Sequence, residues 1–113
     1  MLPRSFKLRR FVVADRSMEP ALVGGQAVIA TRRGTAEPGQ IRIFEHPLRP
    51  GFWLIKRVER IPETGRMWVL SDNRSLSTTD SRELGTVPID GSYRVLCALP
   101  TWLVRIDSAP ERP

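Results

Sequence analysis

Residues 52–59 read Phe52-Trp53-Leu54-Ile55-Lys56-Arg57-Val58-Glu59, and this stretch carries the strongest fold signal in the chain. Successive side chains of a β-strand point to opposite faces, which would put Lys56 on the same side as three apolar residues, Phe52, Leu54 and Val58. β-Branched and aromatic residues favour a strand, and the turn residues Pro50-Gly51 precede it. The pattern predicts a strand with a lysine on its apolar face.

Five further runs of the same kind are spaced along the chain, at 11–14, 27–30, 41–44, 67–70 and 93–98. Glycine and proline turn signals separate these runs and leave little room for long helices. Together they predict a mainly β fold, a small, strongly bent and partly closed antiparallel domain. Residues 71–86 form the longest stretch without a strand pattern, and such a loop in a compact domain is usually functional.

Length and composition predict a single domain without a cofactor. The chain has 113 residues and 41% apolar content, enough for one modest core. We divide it into a basic N-terminal segment at 1–10, one domain at 11–100 and a C-terminal tail at 101–113. With one cysteine (Cys97) and one histidine (His46), neither an internal disulfide nor a usual zinc ligand set can form, so no metal and no cofactor is expected.

The charge balance favours anionic partners without choosing among them. Eighteen Lys and Arg against twelve Asp and Glu give a net charge of +6. The basic residues are scattered, which favours a solvated surface over a specific nucleic-acid site. No apolar run near the N-terminus approaches the ~18 residues that span a bilayer, so we expect a cytoplasmic protein. Residues 93–106 are apolar enough to pack on the core, or alternatively to make weak peripheral contact with a membrane surface.

Ser17 is a candidate nucleophile. It directly follows the first predicted strand, and Pro20 pushes Glu19 into an extended conformation that keeps a helix from starting. The serine would then lie at a strand-to-loop corner, facing a groove to which Met18 and Pro20 contribute. Taken alone, the pattern is more typical of an ordinary turn serine.

Lys56 is a candidate base for that serine. A serine hydroxyl is a weak nucleophile until a base takes its proton, and an uncharged lysine can be that base. Apolar surroundings desolvate the ammonium and lower its pKa. A shift from about 10.4 to about 7.5 needs roughly 4 kcal/mol, which a buried site can impose. The alternative is a lysine that extends its ammonium to water from the rim of the strand.

The polar loop that follows supplies a third element. Residues 71–85 read Ser71-Asp72-Asn73-Arg74-Ser75-Leu76-Ser77-Thr78-Thr79-Asp80-Ser81-Arg82-Glu83-Leu84-Gly85. An Asp80–Arg82 pair can brace this loop. A hydroxyl can orient the lone pair of a neutral lysine without restoring the charge, and both Ser77 and Thr78 are candidates.

These three elements, in this order, resemble the catalytic boxes of the type I signal peptidase family. The matching runs lie within residues 11–98 and are Ser17-Met18-Glu19-Pro20, Lys56-Arg57-Val58, Asp72-Asn73 and Asp80-Ser81-Arg82. The resemblance implies the catalytic-core fold of that family, with Ser17 as nucleophile and Lys56 as general base. It also implies the Ser17 N–H as an oxyanion donor, and a set of residues that support the site: Asp72, Asn73, Asp80, Ser81 and Arg82.

Within that family the chain is most similar to the proteases that mature nickel-type superoxide dismutase. Members of this subgroup are short and carry stretches similar to Phe44-Glu45-His46-Pro47 and Trp68-Val69-Leu70. They remove a propeptide so that the new N-terminus of the dismutase can bind nickel. The resemblance implies a serine endopeptidase whose partner is the propeptide form of nickel superoxide dismutase, with nickel belonging to the substrate.

One departure concerns the oxyanion site. Asp15 stands two residues before the nucleophile, where some family members supply a second oxyanion hydroxyl. An ionised carboxylate there would oppose a developing oxyanion.

Other functions stay open at this point. One is a general signal peptidase-like processing enzyme, and another is a Ser-His-Asp triad built on His46. A third is a non-catalytic basic module that binds peptide, nucleic acid or anionic membrane, in which three tryptophans would stack on bases or seat at lipid headgroups: Trp53, Trp68 and Trp102.

Overall fold

A computed structural model describes residues 8–75, 79–100 and 102, which form one antiparallel sheet and a one-turn helix. The strands are β1 (Leu8–Val12), β2 (Ala27–Thr31), β3 (Ile41–Glu45), β4 (Trp53–Glu63), β5 (Arg66–Leu70), β6 (Val87–Pro88) and β7 (Tyr93–Ala98). The helix, α1, spans Ser81–Leu84. The strand order in the sheet is β1-β2-β7-β3-β4-β5-β6. The prediction of a mainly β, antiparallel domain is confirmed.

The sheet itself is not closed. Pairing among the described strands leaves β1 and β6 as its two edges, so the partial closure expected from the sequence is not seen. The register shifts between Ile29 and Ala30 on β2, and twice on β4 between Val58 and Glu63. Such irregularities bend a strand and increase its twist.

Strand boundaries differ from prediction mainly at the ends. β1 begins at Leu8, inside the segment expected to precede the domain, because its ladder with β2 continues to the pair Leu8–Thr31. β4 runs on to Glu63, where it forms a hairpin with β5. The 71–86 segment was expected to be a loop and contains the short helix α1.

Apolar side chains cover both faces of the sheet. The first core cluster contains Phe11, Val13, Met18, Leu22, Val28, Ala30, Ile43, Ile55 and Tyr93. The second contains Phe44, Leu54, Val58, Met67, Val69 and Val87. Because Leu54 and Ile55 are neighbours on β4 and belong to different clusters, β4 is covered from both sides, as the alternation of a strand requires.

Of the two terminal segments, only parts are described. Residues 1–7, 101 and 103–113 lie outside the described residues, and so does most of the tail expected at 101–113. The side chain of Trp102 is 66% exposed. Among the described residues, no helix has the length and apolar character needed to cross a bilayer.

Candidate active site

Lys56 is buried in the middle of β4. Its side chain is 2% exposed and lies on the face of the second core cluster, with Leu54 and Val58. Phe52, which was expected to share this environment, precedes β4 and is 42% exposed. The alternative of a lysine that reaches water from the rim of the strand does not agree with this burial.

The electrostatic surroundings of Lys56 shift it toward the neutral form. Burial lowers its pKa below the ordinary value of 10.5, because the ammonium loses its hydration. The carboxylates of Asp15 and Asp80 oppose this effect, and the guanidinium of Arg82 adds to it. The net shift has the direction that a general base requires.

Ser17 is buried with an uncommitted hydroxyl. It is 1% exposed, and its Oγ has no hydrogen-bond partner within the described part of the chain. Its backbone is held on both sides, since the Ser17 N–H donates to Asp15 Oδ1 (3.0 Å) and the Ser17 carbonyl accepts from the Asn73 N–H (2.8 Å). Buried hydroxyls normally have partners, so an unpaired one invites a functional explanation.

A groove joins the serine loop to the lysine strand. A cavity of about 230 Å³ has Ala14 and Asp15 on one side and the segment from Gly51 to Lys56 on the other. Asp15 lines this cavity, bonds the Ser17 N–H and acts on the pKa of Lys56. Asp15 thus connects the two predicted catalytic residues, since Lys56 lines this cavity, the Asp15–Lys56 groove, whereas Ser17 is not among the described residues that line it.

The two residues expected in a substrate groove do not line this cavity. Met18 is fully buried, because its apolar side chain belongs to the first core cluster, which also contains Leu22 and Phe11. Pro20 is exposed in the turn that follows Ser17. The groove is instead lined by residues that precede the serine, Ala14 and Asp15, and by the start of β4.

Asp15 contacts the backbone donor that the resemblance implies for the oxyanion. Its Oδ1 accepts the hydrogen bond of the Ser17 N–H, the group implied as the oxyanion donor. The sequence indicated an unfavourable charge at this position. The structure adds that the carboxylate already uses the donor.

Asp80 braces the loop that follows β5. It caps α1 by accepting from the Arg82 N–H (3.0 Å), and it also accepts from the Ser71 N–H (3.0 Å) and the Arg82 guanidinium (2.9 Å). Burial alone would raise the pKa of Asp80, but the hydrogen bonds from Arg82 and Ser71 outweigh it and lower the pKa below 3.8. The predicted Asp80–Arg82 contact is present, and Asp80 is an anion at neutral pH.

Asp72 and Asn73 connect the loop to the segments that carry Lys56 and Ser17. Asp72 accepts two parallel bonds from the Arg57 guanidinium, Nε to Oδ1 and Nη2 to Oδ2, both 2.8 Å. Besides its backbone bond to Ser17, Asn73 donates from Nδ2 to the Arg16 carbonyl (3.1 Å). The Arg57–Asp72 fork was not predicted, although both residues lie within the matching motifs.

Ser81 connects the same loop to β5. Its buried Oγ accepts from the Val69 N–H (2.8 Å). Ser77 and Thr78, the candidates for orienting Lys56, lie outside the described residues, so the identity of that hydroxyl stays a prediction.

His46 lies elsewhere. It lines a different cavity, of about 260 Å³, which shares no described lining residue with the Asp15–Lys56 groove. Its Nδ1 accepts from the Leu48 N–H (3.0 Å). This arrangement gives no support to a triad of His46 with Ser17.

Two of the tryptophans are covered by arginines. The Arg9 guanidinium lies 5.1 Å from the ring of Trp53, which packs against the first core cluster. The Arg60 guanidinium lies 4.6 Å from the ring of Trp68. Both rings therefore have part of their surface occupied within the protein, whereas Trp102 is exposed.

Comparison with known proteins adds no assignment. No family model matches the sequence, and no curated protein matches it. Any functional assignment therefore rests on the motifs and on the geometry of the groove.

Proposed function

We propose that the protein is a serine endopeptidase that uses a Ser17–Lys56 dyad. One observation carries the proposal: Asp15, which accepts from the N–H of a buried serine whose Oγ is unpartnered, lines the same groove as Lys56, which is 2% exposed and has a lowered pKa. A desolvated amine and an uncommitted hydroxyl are the two groups that Ser-Lys catalysis needs.

In the proposed reaction, neutral Lys56 takes the proton of Ser17 Oγ as Oγ attacks the scissile carbonyl. The resulting ammonium gives that proton to the leaving amine, and a water molecule then hydrolyses the acyl-enzyme with Lys56 again acting as base. The Ser17 N–H stabilises the oxyanion once it is released from Asp15. Asp80 and Arg82 hold the loop beside the lysine.

The proposed substrate is a precursor protein with an N-terminal propeptide, the propeptide form of nickel superoxide dismutase. The resemblance of residues 44–47 and 68–70 to the corresponding protease subgroup supports this choice. A cytoplasmic location, with at most weak peripheral contact at a membrane surface, belongs to the same proposal.

The test is to incubate the purified protein with a propeptide-bearing nickel superoxide dismutase precursor and to measure the mass of the precursor by mass spectrometry. We expect loss of an N-terminal segment, and no loss with Ser17→Ala. If the dismutase precursor stays intact and secretory preproteins are cleaved, the protein is instead a general signal peptidase-like enzyme. Failure to cleave either class would contradict the peptidase assignment.

A further inference from the structure

A second buried cation lies beside Lys56 in the sheet. Arg42 on β3 is the cross-strand partner of Lys56, and its side chain is 1% exposed. Taking a charged group out of water costs several kcal/mol unless an opposite charge and hydrogen bonds compensate it. Within the described residues, no carboxylate forms an ion pair with Arg42. Its pKa is lowered by burial and by the nearby positive charge of Arg94.

The Arg42 guanidinium is held in place with one nitrogen uncommitted. Its Nε donates to Gln40 Oε1 (3.3 Å), and its Nη1 donates to Ser92 Oγ (3.0 Å), which in turn donates to the Ile89 carbonyl (2.6 Å). These acceptors are all neutral. Nη2 is buried and has no acceptor in the described part of the chain.

Arg42 lines a cavity of about 340 Å³, together with Arg32, Gly34, Ile89, Asp90, Gly91 and Ser92. This cavity shares no described lining residue with the Asp15–Lys56 groove. The Arg32 guanidinium rests 4.8 Å from the ring of Tyr93, a contact that limits where it can move. The site therefore combines a rigid buried cation with a second, more exposed one.

We propose that this cavity binds a phosphate group, with Arg42 as its buried anchor and Arg32 as its outer cation. Planar guanidinium groups match the oxygen spacing of phosphate, and their donors point in fixed directions. The charge balance decides between phosphate and carboxylate. Arg32 and Arg42 line the cavity with one carboxylate, Asp90, and the positive charge of Arg94 also acts on Arg42, so a dianionic phosphate neutralises the local excess of positive charge and a single carboxylate does not.

The experiment is calorimetric titration of the full chain with inorganic phosphate at low ionic strength. We expect saturable binding of one phosphate, weakened at least tenfold in Arg42→Met, which keeps an unbranched side chain of similar length. Arg60→Met is the matched control, since it removes the same charge at an exposed site on β4 outside this cavity, and it should bind like the wild type. Wild-type binding by Arg42→Met would overturn the proposal.

Two further measurements test whether loss of binding reflects misfolding and whether phosphate is the correct ligand. Arg32→Gln changes an exposed residue, so the fold should survive, and we expect phosphate binding to weaken several-fold. Phosphate should also shift the NMR signal of the Arg42 side-chain Nε–H in the wild type. Acetate that binds as tightly as phosphate, or a wild-type Arg42 signal that phosphate leaves unmoved, would contradict the assignment. Titration with glycerol phosphate distinguishes the source, because tighter binding than inorganic phosphate indicates a phosphate ester.

Discussion

At neutral pH, Lys56 costs stability, because its ammonium is buried on an apolar face of β4. Its folded pKa lies below the unfolded value near 10.5, so the unfolded chain binds the proton more readily between the two. The loss of folding stability is complete below the pKa of Lys56 in the folded protein. It disappears as the pH rises through the pKa of Lys56 in the unfolded chain. We predict that Lys56→Met is more stable than the wild type at pH 7, on the order of 1 kcal/mol. Urea unfolding should show this advantage shrinking toward pH 10.5. An equal gain at both pH values would exclude the lysine charge as its cause.

The lowered pKa of Lys56 should also determine how the proposed peptidase activity depends on pH. If Lys56 is the base, the rate should rise with pH as the ammonium loses its proton, with an apparent pKa below 10.5. Lys56→Arg keeps the charge but cannot be deprotonated in this range, so it should lose activity as completely as Ser17→Ala. The double variant should be little worse than either, because the residues act as one unit. Cleavage rates across pH, with circular dichroism as the folding control, provide the measurement. A folded Lys56→Arg protein with most of its rate would remove the lysine from the mechanism.

Asp15 should restrain catalysis, because its carboxylate holds the N–H that would bind the oxyanion. We predict that Asp15→Ser raises kcat several-fold by freeing this donor and supplying a hydroxyl. Asp15→Asn separates the two effects, since it removes the charge but keeps an acceptor. Glu63→Gln, at the exposed end of β4, controls for net charge and should change nothing. An unchanged kcat in Asp15→Ser would mean that substrate displaces the carboxylate without cost.

Residue-level chemistry was predictable where one local pattern sufficed. The alternation of residues 52–59 was enough to predict a lysine on an apolar face, and the burial of Lys56 agrees. It could not show that Phe52 would be exposed or that Met18 would enter the core, since both depend on how distant strands pack. The burial of Arg42 was missed for the same reason. The residues next to Arg42 in sequence are typical of an ordinary strand. Only the fold brings its guanidinium to Ser92, to which it donates a hydrogen bond.

At the scale of elements, α1 depends on Asp80 more than on its own four residues. A single helical turn is not stable alone, and Asp80 supplies its cap and an ion pair with Arg82. The folded pKa of Asp80 lies below its ordinary value of 3.8, so its contribution to stability is present above that pH and is lost as the pH falls toward the folded pKa.

We therefore predict that Asp80→Asn lowers the free energy of unfolding by about 1–2 kcal/mol at pH 7, a figure reduced because solvent screens the exposed Arg82 end. The deficit should narrow below pH 3.8. Thermal unfolding of both proteins across pH is the measurement, and Glu83→Gln, an exposed carboxylate of the same helix, is the control. If the loss of unfolding free energy in Asp80→Asn does not depend on pH, it comes from altered packing and not from the lost charge.

Strands were easier to predict than their edges or connections. Each of the six predicted runs lies in or overlaps a strand, because β-branched runs bounded by glycine and proline are a local signal. The two-residue β6 gave no such signal, since Val87–Pro88 is too short for a strand pattern and is a strand because it pairs with β5. The short helix α1 was likewise missed, because its stability comes from Asp80 and from packing on β5.

At the scale of the whole molecule, many arginines already interact within the protein. The guanidinium of Arg57 forks onto Asp72, and those of Arg9, Arg49 and Arg60 lie over aromatic rings. Such side chains support the fold and cover the rings that a nucleic-acid module would use for stacking. The net charge of +6 therefore does not by itself indicate a binding surface.

DNA binding tests that argument for the whole chain. A surface that only carries charge holds DNA through phosphate contacts, whose strength falls steeply with salt because counterions are released. We predict weak, sequence-independent binding that disappears between about 50 and 200 mM salt, measured by fluorescence anisotropy with two unrelated duplexes and a single strand. Trp68→Leu should leave this binding unchanged, because Arg60 covers part of the ring. Trp102→Leu tests the exposed ring in the same way. Submicromolar, sequence-selective binding at physiological salt would contradict the peptidase proposal, since it would indicate that the protein functions in recognising nucleic acid.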